Sequence, residues 1–267
     1  MREKSRPTSG KVKIRGAREL AEDLTESSAH KRPRTPNPIK RQIKLNQFPW
    51  TEKQKEFFRV ALDPSTNIVF VNGPAGTAKT LLSVYCGLQL LNMKAIDDIM
   101  YLRSAVESSD KSLGYLPGDA NEKLRFYNLP FLDKLDELLT ESSAQKLEEQ
   151  KRVSMFPVNF ARGMNWKHKC VILDEAQNSS VKEIVTVLTR MGEGCRCFVL
   201  ADPMQTDLKN ENIQGGFDEL AKVFSDEESV QMGVYAFNFT EEDVMRSELV
   251  KFIVKKLKES KEKCTQL

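Results

Sequence analysis

The chain has 267 residues, 40% of them hydrophobic and 30% charged, which allows one or two domains around one substantial apolar core. No stretch approaches the roughly 18 consecutive apolar residues of a membrane helix, and the N-terminus lacks the apolar segment of a signal peptide. The five cysteines are irregularly spaced and only two histidines occur, which disfavours a disulfide framework or a zinc site. We therefore expect a protein of the reducing cytoplasm that does not bind membranes.

The charge is concentrated at one end of the chain. Residues 1–46 hold 13 Lys and Arg against 5 Asp and Glu, a net of +8, whereas residues 47–267 hold 28 against 33, a net of −5. The first segment is also poor in large apolar residues and rich in proline. We predict a disordered basic arm over 1–46 and a single domain over 47–267. Such an arm suits nucleic-acid phosphates, although a solubilising tail or a partner-docking strip has the same composition.

Short apolar runs alternate with helical periods from residue 47 onward. Residues 51–62 are predicted helical with Thr51 as N-cap, and a helix is predicted over 181–191 behind a Ser180–Glu183 capping box. Residues 67–71, NIVFV, are typical of a strand buried on both faces. Other predicted strands are 98–102, 153–158, 170–174, 197–201 and 230–237. Strands alternating with helices predict an α/β fold, with a parallel sheet covered on both faces.

Two segments allow more than one interpretation from the sequence. Residues 104–152 are highly charged and largely helical; they could grip a substrate, but the spacing of their leucines favours packing on the sheet. The last helix carries an apolar face, which is more typical of a core than of an interface. That face consists of Met245, Leu249, Phe252, Ile253 and Leu257.

Residues 73–80 read GPAGTAKT, the phosphate-loop pattern G-x-x-x-x-G-K-[ST] with Ala78 in place of the second glycine. In such a loop Lys79 reaches the β- and γ-phosphates and the Thr80 hydroxyl holds Mg²⁺. A positive φ at residue 78 would make alanine cost about 1–2 kcal/mol, but no chemical group is lost. We therefore predict an ATP site formed by Gly73, Pro74, Ala75, Gly76, Thr77, Ala78, Lys79 and Thr80.

Polar residues follow the predicted strands. CVILDEAQ (170–177) puts Asp174 and Glu175 at a strand end, where ligands of open parallel sheets bind. We expect Asp174 to orient Mg²⁺ and Glu175 to act as general base for the water that attacks the γ-phosphate. Gln205, after the strand 197–201, could sense the γ-phosphate or orient the water. Gln54, before the first strand, could pair with an adenine edge.

The motifs together resemble the PhoH-like family of P-loop ATPases, which is related to the superfamily 1 helicase core. The resemblance rests on GPAGTAKT, the segment 103–123 containing LGYLPGD, FARG (160–163), VILDEAQN (171–178), LTRMG (188–192) and ADPMQTDL (201–208). It covers residues 50–258, and the chain is similar to the short, phage-encoded members, which would place it in a host cytoplasm. Ala78 and Ala201 depart from the pattern, since glycine is usual at both positions.

The resemblance implies a RecA-like fold, ATP hydrolysis and a role with RNA or single-stranded DNA. Carried over by position, Lys79, Thr80, Asp174 and Glu175 take the phosphate, metal and base roles, and Gln54 and Gln205 read adenine and the γ-phosphate. Arg103 and Arg162 resemble positions that face nucleic acid.

Helicases of this lineage close ATP between two RecA-like domains, and the second domain supplies an arginine finger. Residues 47–267 suffice for one such domain, so we predict a head-to-tail ring, a hexamer, with the site at each interface. The finger candidates are Arg190, which we prefer, and Arg246.

Two other functions remain open from the sequence. One is a nucleotide-gated assembly or binding module whose ATPase is slow. The other is a phosphotransferase, which the adjacent Asp174–Glu175 couple and the lack of a recognisable acceptor lid disfavour.

Overall fold

Six strands form the central sheet in a computed structural model of the chain. They are β1 Ile68–Asn72, β2 Asp98–Arg103, β3 Val153–Pro157, β4 Lys169–Asp174, β5 Arg196–Ala201 and β6 Val234–Asn238. All pairings are parallel, in the order β3-β2-β4-β5-β1-β6. The structure describes residues 42–103, 120–141, 143–202, 205, 216–245, 249, 252, 253 and 256, all within the compact unit 38–267.

Seven helices with described bounds connect and cover the strands. They are α1 Glu52–Leu62, α2 Lys79–Asn92, α3 Ala120–Leu138, α4 Ala144–Glu149, α5 Val181–Leu188, α6 Gly216–Val223 and α7 Glu227–Gln231. Capping boxes fix the starts of α1 and α5, where Thr51 pairs with Gln54 and Ser180 with Glu183. Among the described helices, none combines the length and apolar character needed to span a bilayer.

Buried side chains alternate between the two faces of the sheet, as the two-residue period of a strand requires. Val69 and Val71 of β1 join a core with side chains of α1 to α4, whereas Phe70 joins a second core with α5 and α6. The central strands β4 and β5 are almost entirely buried. The predicted α/β class, a parallel sheet with helices on both faces, is confirmed.

Three details differ from the sequence-based expectations. The predicted strand 230–237 starts at Val234, because Val230 belongs to α7 and Gly233 makes a turn with a φ of +73°. A side chain at Gly233 would have its Cβ only 2.0 Å from the Ser65 carbonyl oxygen. The predicted helix 181–191 ends at Leu188.

The third difference concerns the terminal segment, whose apolar face we expected in the core. Its described members are exposed, at 50% for Met245, 66% for Leu249, 57% for Phe252 and 44% for Ile253. Leu257 lies outside the described residues. In the described part of the chain, this face is therefore not core.

Residues 42–46, which we grouped with the basic arm, pack on the domain. The Asn92 side chain accepts a hydrogen bond from the Ile43 N–H at 2.8 Å and donates one to the Ile43 carbonyl at 2.9 Å. Leu45 forms an antiparallel bridge with Leu139 after α3. Ile43 and Leu45 also pack against the core beneath α1 to α4. The rest of the predicted arm, residues 1–41, lies outside the described residues.

The α3 and α4 segment packs on the sheet through part of the leucine pattern noted in the sequence. Leu135, Leu138 and Leu139 are buried in the core and Leu132 is half-buried against it. Residues 104–119 and the side chain of Leu124 lie outside the described residues.

Candidate nucleotide-binding site

The phosphate loop begins where β1 ends. Asn72 is in register with Ala201, the last residue of β5, and the next N–H, that of Gly73, donates to the Ala201 carbonyl at 3.3 Å. A Cβ at Gly73 would lie 2.7 Å from the Cβ of Phe239, so only glycine fits there without a shift. The loop is thereby held at the carboxyl edge of the sheet, where ligands of parallel sheets bind.

Ala78 occupies the N-cap of α2 with a φ of +63° and a ψ of +22°. This is the left-handed region, so residue 78 has the positive φ considered in the sequence analysis. Alanine there costs about 1–2 kcal/mol relative to a right-handed conformation. The loop nevertheless passes from β1 into α2 as a phosphate loop requires, because Gly76 supplies the other positive φ, +89°.

Lys79 bends over the loop that precedes it. Its ammonium group donates to the carbonyl oxygens of Gly73 at 2.6 Å and Pro74 at 3.0 Å, and the buried Thr77 hydroxyl donates to the same Pro74 oxygen. Burial lowers the pKa of Lys79, while the carboxylates of Asp202, Asp174 and Glu175 act in the opposite direction. The lysine is thus a partly desolvated cation among acidic groups, a setting in which its attraction to phosphate is enhanced.

Asp174 gathers three hydrogen bonds at the end of β4. Its Oδ2 accepts from the Thr80 hydroxyl at 3.0 Å and from the Tyr101 hydroxyl at 2.9 Å, and its Oδ1 accepts from the N–H of Glu175 at 3.0 Å. Burial raises the pKa of Tyr101 well above its ordinary value, and the adjacent Asp174 adds to the effect, so the phenol stays a neutral donor. Asp174 is consequently fixed in position beside Thr80.

The Thr80–Asp174 pair fits Mg²⁺, which prefers oxygen ligands and binds through one or two protein groups plus phosphates and waters. No group of three or more His, Cys, Asp or Glu able to hold a metal occurs among the described residues. A metal at Thr80 and Asp174 would therefore take its remaining ligands from a nucleotide and from water.

Glu175 follows in a left-handed conformation, with a φ of +56°, which turns its side chain away from the line of β4. Its Oε2 accepts from Gln177 Nε2 at 2.6 Å, and its Oε1 lies 3.8 Å from an Arg103 guanidinium nitrogen. Burial and then the Asp174 carboxylate raise the pKa of Glu175 above its ordinary value. A raised pKa makes this carboxylate a stronger base, as a role in proton abstraction requires.

Gln177 is a site residue that sequence reasoning missed. Its side chain is 4% exposed and connects two strand ends: Nε2 donates to Glu175 and to the Gln205 carbonyl at 3.2 Å, while Oε1 accepts from the Asp202 N–H at 3.0 Å. The Gln205 N–H donates in turn to the Asp202 carbonyl at 3.0 Å. Gln177 therefore links the Glu175 carboxylate to the loop that carries Gln205.

These residues line one cleft of about 380 Å³, to which Gln205 and the phosphate loop also contribute. The lining also includes residues that the sequence analysis did not assign to the site, among them Lys134, Glu137 and Met245. Lys134 and Glu137 of α3 form an ion pair of 2.6 Å at its wall. Met245 also lines the cleft, and its N–H donates to the Gly76 carbonyl at 2.9 Å, which ties the chain after β6 to the phosphate loop.

Gln54 and Arg162 lie outside the lining of the cleft. Gln54 is 2% exposed, and its Oε1 accepts from the Thr51 N–H in the α1 capping box. Its oxygen is thus used to cap its own helix, which the capping signature of the sequence already suggests. Arg162 is exposed just after the turn Val158–Ala161 that follows β3.

Arg190 lies at the opposite edge of the sheet from the cleft. Its carbonyl accepts from the N–H of Trp166, three residues before β4, whereas Asp174 ends that strand. The length of a six-residue strand puts the two edges about 20 Å apart. The Arg190 guanidinium donates to the Thr186 carbonyl in α5 and to the hydroxyl of Thr189, which follows that helix. Arg246 lies outside the described residues.

Comparison with known proteins identifies the family of the chain. Residues 48–258 match the family described as PhoH-like protein. The chain is 33% identical over 204 residues to a PhoH-like protein of Bacillus subtilis (strain 168), covering 76% of this chain and 61% of that relative. It is 34% identical over 187 residues to Protein PhoH of Escherichia coli (strain K12), covering 69% and 51%.

Among solved structures, the chain is similar to the Sulfolobus solfataricus SWI2/SNF2 ATPase core in complex with dsDNA. The TM-score is 0.43 and the identity 13%, over 78% of this chain and 47% of that one. For the Pif1 helicase of Candida albicans the TM-score is 0.35 and the identity 11%, over 73% of this chain and 41% of that one. At these scores the likeness concerns general architecture, and nothing about function follows from it.

The parallel sheet, the phosphate loop and the acidic end of β4 together define a P-loop NTPase fold. Within that class, the match over residues 48–258 assigns the family, and the chain belongs to the PhoH-like proteins, as its motifs predicted. The chain spans about half to three-fifths of the length of the PhoH-like proteins of Bacillus and Escherichia.

Proposed function

We propose that the chain is a Mg²⁺-dependent ATPase whose turnover is stimulated by RNA or single-stranded DNA. The observation that carries the proposal is the convergence of Lys79, Thr80, Asp174 and Glu175 on one cleft. Lys79 and Thr80 begin α2, whereas Asp174 ends β4 and Glu175 follows it. Each carries the chemical group that nucleotide hydrolysis needs there.

In this proposal the backbone N–H groups of the loop and the start of α2 bind the phosphate oxygens. Lys79 exchanges the carbonyls of Gly73 and Pro74 for the β- and γ-phosphates. Thr80 and Asp174 would hold Mg²⁺, which would neutralise charge on the phosphate oxygens. Glu175 accepts a proton from the attacking water; a bond forms from the water oxygen to the γ-phosphorus, and the bond to the bridging oxygen breaks, leaving ADP and phosphate. Gln205, at the end of the Gln177 link, orients that water.

The direct test is ATP turnover by the full chain, with and without single- and double-stranded RNA and DNA. We expect Lys79→Ala to lower turnover by about 10²-fold or more, because a fixed charge on the phosphates is lost. Glu175→Gln should lower it by about 10²–10⁴-fold, the contribution typical of a general base. Glu148→Gln, on the exposed side of α4, is the matched control and should leave turnover unchanged. Rapid hydrolysis by Glu175→Gln would refute the assigned base.

Stimulation by nucleic acid is supported by the charge of the basic arm and by the exposed Arg162 near the carboxyl edge of the sheet. RNA and single-stranded DNA are equally compatible with these features, and the turnover assay with each nucleic acid distinguishes them. The proposed pairing of Gln54 with adenine requires its side chain to leave or share the capping box. A preference for ATP over GTP that Gln54→Ala abolishes would support it.

A cation acting in trans is proposed to complete the site, within a head-to-tail hexamer. Arg190 fits this role because it lies at the far edge, out of reach of its own cleft but available to a neighbour's. Arg246 remains the other candidate. Light scattering with and without ATP tests the assembly: a monomer that hydrolyses ATP rapidly would contradict it.

A second candidate function is a nucleotide-gated assembly module with slow ATPase. It is favoured by the exposed apolar side chains that continue from Met245, whose N–H is bound to the phosphate loop. In that case assembly would require ATP, while turnover would not respond to nucleic acid. The phosphotransferase alternative remains disfavoured, because Glu175 is a base suited to water.

A further inference from the structure

Arg103, expected from the sequence to face nucleic acid, lies against the proposed general base. As the last residue of β2, it is in register with Asp174 of β4 on one side and with Pro157 of β3 on the other. One of its guanidinium nitrogens is 3.8 Å from Glu175 Oε1. Arg103 is therefore between the hydrolytic site and the edge of the sheet that β3 forms.

Glu175 is held on both of its oxygens. Gln177 donates to Oε2 at 2.6 Å, and the guanidinium of Arg103 faces Oε1. A carboxylate that accepts a proton from water must direct a lone pair toward that water. Oε1, the oxygen to which Gln177 does not donate, is attracted toward the guanidinium of Arg103 and therefore away from that water. The Arg103–Glu175 pair thus restrains the base.

The restraint is weak enough to be exchanged. At 3.8 Å the pair is longer than a hydrogen bond, and the side chains are 28% and 35% exposed. Ion pairs of this kind are readily replaced by another anion, because solvent screens both partners. The anion that competes best for a guanidinium is one that offers it two oxygens, as a phosphate does.

The strand ends beside Arg103 show where such a phosphate could come from. After β3, the turn Val158–Ala161 exposes Phe160 at 39%, and Arg162 is exposed next to it. An exposed aromatic ring beside an arginine is the pairing that binds an unstacked base and its phosphate. Neighbouring strands are about 4.8 Å apart, so a chain of nucleotides at the end of β3 passes next to the end of β2.

We propose that Arg103 is an autoinhibitory restraint on Glu175 and that a phosphate of single-stranded nucleic acid, bound across Phe160 and Arg162, removes it. The inference rests on the proposed function, since it explains how nucleic acid would stimulate that ATPase. Arg103 is accordingly a positioning residue, because it acts on hydrolysis through Glu175. When nucleic acid is bound, Arg103 contacts one of its phosphates instead.

The test compares Arg103→Gln, Arg103→Lys and the wild type in ATP turnover, with mixed-sequence single-stranded RNA and DNA oligonucleotides as probes. Releasing an ion pair of this class should raise turnover without nucleic acid about two- to fivefold. The maximal rate with saturating oligonucleotide should stay near that of the wild type, so the fold of stimulation falls by the same factor. Arg103→Lys, which keeps the charge, should restore part of the restraint. Arg59→Gln, an exposed arginine of α1, is the matched control.

A second readout separates this role from a structural one. Oligonucleotide affinity is measured over a range of salt concentrations. The slope of log affinity against log salt concentration should be about one unit shallower in Arg103→Gln, because one phosphate contact disappears. Thermal unfolding checks that the variant is folded. Turnover without nucleic acid that is unchanged or lower in Arg103→Gln would overturn the restraint, and an unchanged salt slope would overturn the nucleic-acid contact. Wild-type protein that hydrolyses no ATP would instead refute the proposed function itself.

Discussion

Replacing Gln177 by leucine tests whether the hydrogen bonds of one buried amide hold the site together. Leucine has nearly the volume of glutamine but no polar atoms, so the change removes hydrogen bonds without opening a large cavity. Three bonds are lost: those from Nε2 to Glu175 and to the Gln205 carbonyl, and the one that Oε1 accepts from the Asp202 N–H.

The size of the effect follows from what each partner does afterwards. The Asp202 N–H is buried, so losing its acceptor leaves a donor unsatisfied, at a cost of about 1–3 kcal/mol. The Glu175 carboxylate and the Gln205 carbonyl can turn to water, so their losses are near the net value of about 0.5–1.5 kcal/mol per bond. The free energy of unfolding should fall by about 2–6 kcal/mol, which for a domain of this size lowers Tm by roughly 4–24 °C.

The assay is urea and thermal unfolding of the full chain, together with ATP turnover. Turnover should fall at least tenfold at a temperature where the variant is folded, because Glu175 loses its orienting donor and Gln205 its anchor. Gln89→Leu is the matched control: that amide donates to the Tyr85 hydroxyl at 2.8 Å from a half-buried position on α2, and its loss should cost about 1 kcal/mol or less. Equal free energies of unfolding for the two variants would refute the stabilising role of the Gln177 hydrogen bonds between the strand ends.

Three further substitutions test other parts of the structure. Gly73→Ala should destabilise by about 1–3 kcal/mol in urea unfolding, because its Cβ would overlap that of Phe239; an unchanged midpoint would contradict the close approach. Ala78→Gly should change the free energy of unfolding by less than about 1 kcal/mol, since relief of about 1–2 kcal/mol is offset by the more flexible unfolded chain; a larger loss would mean that the positive φ is not strained. Asn92→Ala should cost about 1–2 kcal/mol and expose residues 42–46 to protease, because it removes both bonds to Ile43; protection equal to the wild type would refute that attachment.

The elements of this fold could be predicted where the sequence signal was local. A continuous β-branched run identified β1, and side-chain capping patterns identified the starts of α1 and α5. The prediction failed where one apolar run spans two elements. Val230 and Val234 look like one strand in the sequence, but the positive φ of Gly233 separates a helix from a strand.

The position of Lys79, Thr80, Asp174 and Glu175 in one cleft could also be predicted, because these residues follow strand ends in the sequence. The partners that surround them could not. Residues of α3 reach the cleft through the packing of one helix on another, and Met245 reaches it through a backbone bond to Gly76. Such contacts depend on the tertiary arrangement, and no spacing in the sequence encodes them.

The order of the strands explains why Arg103 was assigned to nucleic acid alone. A strand-end arginine can face any ligand at the carboxyl edge, and the sequence does not say which strands are neighbours. In the order β3-β2-β4-β5-β1, the end of β2 lies between the turn that bears Phe160 and the strand that bears Asp174 and Glu175. A residue in that place lies next to Asp174 and Glu175 on one side and next to the end of β3 on the other. We propose that Glu175 and a nucleic-acid phosphate compete for this arginine, and this competition is the physical basis on which nucleic acid would control hydrolysis.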